Sequence, residues 1–386
     1  MKRDEKRNKH TYKMAQYNYE KAFCDEMCKV NSLKIVSLYQ QECFPKNKLI
    51  FVRKSRKYLN KKIQYIWYIN LPFIKELIYF ISACFIILFW NFRCKNEQKK
   101  CIFANLHYAP VSLAIVFMGK ILGVKKVIAF TDLSLYTYSD EKIGKMPLYK
   151  KVLIKPYVRV VNKLQKSYDL YILFSEPMKD VVNKAGKPYL VMEGIHNPDG
   201  IVFEKQKKCN AILYAGKLNR EVGVQKILDV FNMIDDDSLE LWFLGNGDMK
   251  DEILEASKIN KNIKYLGFRD RKEVFRFLQK AKLLINLRNP DDEYTKYSFP
   301  SKTFEYMVSG TPMISTDLEG IPDEYKKYMF MVDYSDEKIV DKIYEILNLD
   351  DTFLEEFGKK AREFVLNEKN PCVQVKKINK FLNFYI

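Results

Sequence analysis

The stretch YSFPSKTFEYMVSGTPMIST, residues 297–316, holds the residue types from which an anion site can be built. Pro300 has its φ preset for the first turn of a helix, and Ser301 and Lys302 follow it. The free N–H groups of that turn, the helix dipole and the Lys302 ammonium together suit a phosphate. Glu305 falls four residues beyond Ser301 on the same face, ~6 Å higher at about 1.5 Å per residue. A carboxylate at that separation from a bound diphosphate can accept hydrogen bonds from both hydroxyls of a ribose. Gly310 is placed to close the helix as a left-handed cap, and Thr311-Pro312 feeds the next buried strand. Taken alone, the same stretch reads equally well as a capped amphipathic helix with a surface glutamate.

Three further segments carry candidate residues. In AILYAGKLNREVGVQKIL (211–228) a buried strand ends at Gly216, and Lys217 and Arg220 follow in the turn. Cations at a strand's carboxyl end can neutralise a departing diphosphate, although a lone G-K-L-x-R more often marks a solvated turn. LWFLGNGD (241–248) is a strand with turn glycines, Gly245 the first of them. IKYLGFRDRKEV (263–274) puts Gly267, Phe268 and Arg269 in a loop where backbone groups and stacking could hold a base, or where a strand simply turns into a helix. In the first half, AFTDLS and NLHYAP place Asp132 and His107 at strand carboxyl ends, as acceptor-side residues or as satisfied structural ones. Glu193-Gly194 ends the last strand before the crossover and reads as a hinge or cleft pair.

The elements that must position these residues are short, nearly continuous apolar runs alternating with helical periodicity. They fall at 34–39, 49–52, 101–105, 126–132, 170–175 and 189–194, then at 211–216, 239–245, 263–267, 282–288, 312–316 and 329–333. Continuous hydrophobicity means strands covered on both faces, hence parallel sheets between helices. Two such series imply an α/β chain of two Rossmann-like, doubly wound domains facing each other across a cleft. The expected division is 1–200, 201–370 and a C-terminal helix over 371–386 that could pack on either domain. A charged amphipathic stretch, Arg7 to Lys29, precedes the first strand, so the chain is expected to start at the helix after a missing opening strand.

Composition narrows the class. The 386 residues are 47% hydrophobic and 30% charged, which excludes a disordered, collagen-like or disulfide-stapled chain. Residues 1–200 hold 36 basic and 16 acidic side chains, net +20, while residues 201–386 hold 30 and 32, net −2. An anionic partner for the first half follows, a membrane surface or a nucleic acid. The basic residues form no known nucleic-acid motif and the aromatics fall mostly in strands, so no nucleic acid is expected. Cys24 and Cys28 sit at helical spacing among eight scattered cysteines, and with only His10, His107 and His196 no zinc signature can be assembled. Free thiols and the absence of a secretory signal fit the cytoplasm. LPFIKELIYFISACFIILFW (71–90) is apolar, but Lys75 and Glu76 leave an uncharged run of only 14 residues, Leu77–Trp90. A span needs about 20, so a buried or interfacial helix is expected, flanked by basic stretches suited to anionic lipid.

The ordered combination of strand-Gly-Lys-Leu, FLGNG, YLGF and FPSKTFEYMVSGTPMIS resembles the nucleotide-binding half of GT-B glycosyltransferases. It is most similar to family 4 (group 1) enzymes of capsular and exopolysaccharide synthesis, strongly over 210–335 and more weakly over 10–200. The resemblance implies that Glu305 holds the donor ribose, Ser301 and Lys302 contact the diphosphate, Lys217 replaces a usual arginine, and Phe268 and Arg269 flank the base. Asp132 would bind the acceptor or help with its hydroxyl proton. The implied reaction is a retaining transfer from a nucleotide-diphosphate sugar to a glycan or lipid-linked acceptor. It needs no bound metal and no cofactor beyond that co-substrate; the basic first half can sit on the inner face of the plasma membrane, where a lipid-linked acceptor would be found. The chain departs from the family at Tyr297, where a second carboxylate lies eight residues before the ribose-binding one, and at Val222, where a phosphate-binding lysine is usual. A non-catalytic homologue, acting as a donor-binding or partner subunit, is the alternative.

Overall fold

The computed structural model describes residues 14–38, 44–46, 48, 50–52, 55–58, 61–72, 74–105, 108–131, 133, 148–198, 203–204 and 206–386. Two compact units divide at Glu193/Gly194, against an expected boundary at residue 200. Ser175–Pro177 counts with the second unit, and Val375–Ile386 with the first.

The first unit opens, among the described residues, with α1 (Met14–Val30) and five short strands. These are β1 (Val36–Ser37), β2 (Phe51–Val52), β3 (Ser55–Tyr58), β4 (Lys61–Tyr65) and β5 (Tyr68–Ile69). Then come α2 (Ile74–Arg93), β6 (Cys101–Ala104), α3 (Ala109–Ile121), β7 (Lys125–Phe130), α4 (Leu148–Gln165), β8 (Leu170–Leu173), α5 (Met178–Val182) and β9 (Tyr189–Val191). Strands β6 to β9 form a parallel sheet in sequential order. Its centre is built from the runs VIAF and LYIL, buried at every position. The expectation of parallel strands throughout is corrected in the segment before α2. There β3 and β4 pair antiparallel and β2 pairs antiparallel with β5. A two-residue connection between β3 and β4 permits only an antiparallel hairpin, because parallel neighbours need a long crossover. None of the described cysteines is in a disulfide, and burial raises the Cys24 thiol to about 12, as for a packed helix face.

The second unit runs β10 (Cys209–Lys217), α6 (Val224–Phe231), β11 (Glu240–Asn246), α7 (Lys250–Ile259), β12 (Ile263–Tyr265), α8 (Arg271–Lys280) and β13 (Ala281–Asn286). It continues through α9 (Glu293–Lys296), α10 (Lys302–Ser309), β14 (Met313–Thr316), α11 (Asp323–Lys326), β15 (Phe330–Val332), α12 (Asp336–Leu347), α13 (Asp351–Glu368) and the start of α14 (Pro371–Tyr385). All six strands are parallel, in the order β12-β11-β10-β13-β14-β15. The period-2 alternation of each strand sorts its residues between two cores. Ile212 and Tyr214 pack with Ile227 of α6 and Ile343 of α12, while Leu213 and Ala215 pack with Leu278 of α8 and Met307 of α10. Each such aliphatic side chain contributes about 1.5–3 kcal/mol on full burial. Gly310 closes α10 at φ 75°, the left-handed cap expected of it.

Candidate functional site

The second sheet reverses its strand order between β10 and β13. Open α/β sheets bind ligands outside the strand carboxyl ends at such a point. There β10 ends at Gly216-Lys217, and β13 runs out through Leu287 to Arg288. The side chain of Tyr306 ties α10 to this place. Its hydroxyl accepts from the Ala215 N–H at 2.8 Å and donates to the Ala215 carbonyl at 3.1 Å.

So held, α10 brings Lys302 against β10. A Cβ added to Gly216 would sit 3.4 Å from Lys302 Nζ, which lies 3.6 Å from the centre of the Tyr214 ring. The Lys302 stem is half-buried, but its ammonium is buried and has no hydrogen-bond partner among the described residues. Burial first, and then the Arg288 charge, pull this amine well below its ordinary value, with Glu305 opposing. Arg288 has its own buried, unpartnered Nε, and its carbonyl accepts from the Thr316 hydroxyl at 2.6 Å. Buried charges are normally paired. A buried ammonium without a hydrogen-bond partner, beside a guanidinium whose buried Nε also lacks one, makes a site for an anion.

Glu305 lies one turn further along α10, with 42% of its side chain exposed and Oε1 3.7 Å from Arg271 Nε. Burial of the carboxyl raises its pKa, while Arg271 and Lys302 act against that rise. Arg271 also donates to the Asn197 carbonyl at 3.3 Å. Gly245 stands in register with Gly216, at φ 139°, and a Cβ there would fall 1.8 Å from the Gly216 carbonyl oxygen. Only glycine fits. The Gly245 N–H in turn donates to the Gly267 carbonyl at 3.0 Å. The turns at 216, 245 and 267 thus meet beside Lys302, and the loop after Gly267 leads to Arg271 and Glu305.

The other candidates of the second unit border this cluster and are exposed or engaged with other groups. Lys217 is exposed. Arg220 is 62% exposed and faces Gln225 Oε1 at 3.1 Å and Glu252 Oε1 at 3.8 Å. Phe268 projects into solvent, 80% exposed, and Arg269 donates to the Leu266 carbonyl at 2.9 Å. Ser301 is the exposed N-cap of α10 and its hydroxyl makes no capping bond. Asp132 and His107 lie outside the described residues. Three residues join the site that sequence reasoning had passed over. Arg288 follows a central strand, the same rule that singled out Lys217, and Arg271 stands two residues after Arg269. The third is His196, buried against the Phe304 ring at 6.1 Å with Nε2 unpartnered, and brought down to about 4 by burial and then by Arg271. No signal in the sequence marks it. Among the described residues, no group of three or more His, Cys, Asp or Glu could hold a metal ion.

Residues 201–364 match the family described as glycosyl transferases group 1. No curated protein sequence matches the chain. Sucrose-phosphate synthase from Thermosynechococcus elongatus shares the fold at TM-score 0.64 and 12% identity, over 96% of this chain and 92% of that one. Anabaena HepE in complex with UDP is similar at TM-score 0.59 and 13% identity, over 83% and 86% of the two chains. An E. coli trehalose-6-phosphate structure bound with UDP-2-fluoro glucose is similar at TM-score 0.65 and 8% identity, over 94% of each. Residues 201–364 thus match a group 1 glycosyltransferase domain, and these likenesses, at 8–13% identity, show the GT-B fold through both units.

Proposed function

We propose that the protein moves a sugar from a nucleotide-diphosphate sugar to a glycan or lipid-linked acceptor in bacterial surface polysaccharide synthesis. The observation that carries this reading is the buried Lys302 ammonium, without a hydrogen-bond partner, beside the half-buried Arg288 at the switch point of the second sheet. Fixed positive charge aimed at a departing diphosphate stabilises the transition state most where water is excluded. In this role Arg288 would join Lys217 and Arg220, of which Arg220 pairs with Gln225 and Glu252. Glu305 would accept the ribose hydroxyls, and the loop at Gly267–Arg269 would border the base. Retention, independence from metal and cofactor, and an acceptor-side role for Asp132 and His107 rest on the family 4 resemblance. A cytoplasmic place at the inner leaflet follows from the charge of the first half. UDP is the first donor to test, because two structurally similar proteins bind UDP or a UDP-sugar.

One observation favours the second reading, a donor-binding or partner subunit without turnover. Val222 packs against the core, and Tyr297 stands where the family has a carboxylate, so neither position carries the charge the family has there. Calorimetry with UDP, GDP, ADP and CDP, on the natural chain and on Glu305→Ala, tests the donor site. Loss of charged hydrogen bonds should weaken binding by roughly 1.5–3 kcal/mol, about tenfold to a hundredfold. Binding of one diphosphate that the variant loses supports the site, and transfer from the matching sugar nucleotide separates enzyme from partner subunit. If none of the four binds, the donor reading fails.

A further inference from the structure

We propose that the exposed apolar face shared by α2 and α3 docks on an anionic lipid bilayer. The outward rows are large and aromatic: Phe85, Phe89 and Phe92 on α2 are 50–65% exposed, and Leu113, Phe117 and Ile121 on α3 are 42–60% exposed. Ile74 and Leu77 extend the α2 row to its first turn, so it runs the length of a 20-residue helix, about 30 Å. The two helices pack together through Ala83, Ile86 and Ala114, and the rings of Phe80 and Phe117 approach to 6.2 Å. The rows therefore belong to one surface of the first unit.

The polarity of α2 is inverted for a helix on a water-facing surface. Ser82 is wholly buried and donates to the Trp67 carbonyl at 2.8 Å, and Lys75 is buried with its ammonium 5.2 Å from the Tyr68 ring centre. The phenylalanines point outward instead. An apolar patch of this size marks an interaction site. Cations follow both helices at their carboxyl ends, exposed at Arg93, Lys95 and Lys99 and at Lys120 and Lys125. Apolar rings entering the acyl boundary beside lysines that meet lipid phosphates match an anionic leaflet. A second copy fits poorly, because an isologous pair would bring two equally basic rims together. Length alone would let α2 cross a bilayer. Its other face is committed to Tyr79, Ala83 and Ile86 in the core, so it lies on the membrane rather than through it.

This surface deepens the proposed function by naming what meets the lipid, and it rests on that reading only for where the acceptor is found. The test is co-sedimentation of the full chain with phosphatidylcholine vesicles, with and without phosphatidylglycerol. Binding is expected only with the anionic lipid, and a Phe89→Ser/Phe117→Ser variant should bind at least about tenfold more weakly, since each ring withdrawn from water is worth a factor of several. Arg93→Gln/Lys120→Gln should weaken binding by about tenfold through the lost phosphate attraction. Both pairs are exposed, so an unchanged melting temperature and unchanged UDP calorimetry certify the variants and keep a failed surface distinct from a failed donor site. No binding to anionic vesicles overturns the proposal, as does equal binding by the phenylalanine variant. A dimer in solution that the same variant dissociates overturns it in favour of a second copy.

Discussion

The two units deploy charge in opposite ways. In the second, near-neutral overall, the informative cations are few and withdrawn from water, the buried ammonium of Lys302 and the half-buried Arg288, where low polarizability of the surroundings makes each one strong. In the first, with most of the net charge, the cations around α2 and α3 are exposed, weak singly, and effective only as a rim to apolar rings. A buried cation gives selectivity for one ligand and responds to pH, because burial shifts its proton affinity. An exposed rim gives attraction to a whole surface and responds to salt, because water and ions screen it. The sharpest contrast between the units is therefore one of sensitivity, and it can be broken experimentally.

The largest expected effect is at Lys302. Lys302→Met should weaken UDP binding by about a hundredfold or more, near 3 kcal/mol. The same variant should melt no lower than the natural chain, since an unpartnered buried ammonium is replaced by an apolar side chain of similar length. A variant that melted lower and bound UDP normally would remove Lys302 from the site. Its depressed pKa also fixes a sign. A diphosphate raises that pKa, so binding takes up a proton, and affinity should fall as pH rises from the depressed empty-site value toward the ordinary lysine value of 10.5. Calorimetry in buffers of different ionisation enthalpy measures that uptake directly.

Next in size is His196. Its native value of about 4 lies below the ordinary 6.5, so the unfolded chain binds the proton first as pH falls. Stability is complete above about 6.5 and should decline by on the order of 3 kcal/mol by pH 4. Urea unfolding across that window should show a shallower decline in His196→Gln, and equal slopes would mean that another group governs acid sensitivity. The smallest effect belongs to Arg271→Ala. Its 3.7 Å pair with Glu305 is 42% exposed on both sides, so less than about 1 kcal/mol is expected in UDP affinity or stability. A larger loss in calorimetry would show that Arg271 touches the nucleotide itself.

Much of the site was legible because its signals are local. Pro300, Lys302, Glu305 and Gly310 follow the helix period and its end rules, and the structure places a helix, a buried amine and a left-handed cap at those positions. The apolar runs likewise fall on strands in both units, since burial on two faces of a sheet leaves an uninterrupted hydrophobic trace. The short hairpin before α2 was not legible, because Ser55–Tyr65 is a basic stretch with little strand patterning. Nor was the choice among cations. Lys217, Arg220, Arg269, Arg271 and Arg288 all stand near strand ends in the sequence, and nothing local separates them.

What the sequence by itself determined is the set of elements and the chemistry available on each, because helix and strand periods, caps and burial are properties of neighbouring residues. What only the tertiary structure decided is which charges meet. Strand order sets β13 beside β10 although more than sixty residues separate their ends in the chain, and this juxtaposition delivers Arg288 to Lys302. The Tyr306 hydroxyl then fixes α10 against Ala215. The same packing turns Arg220 toward Glu252, leaves Phe268 in solvent and presents the phenylalanines of α2 outward. Coulombic attraction depends on separation and burial, and neither is defined until distant segments have packed.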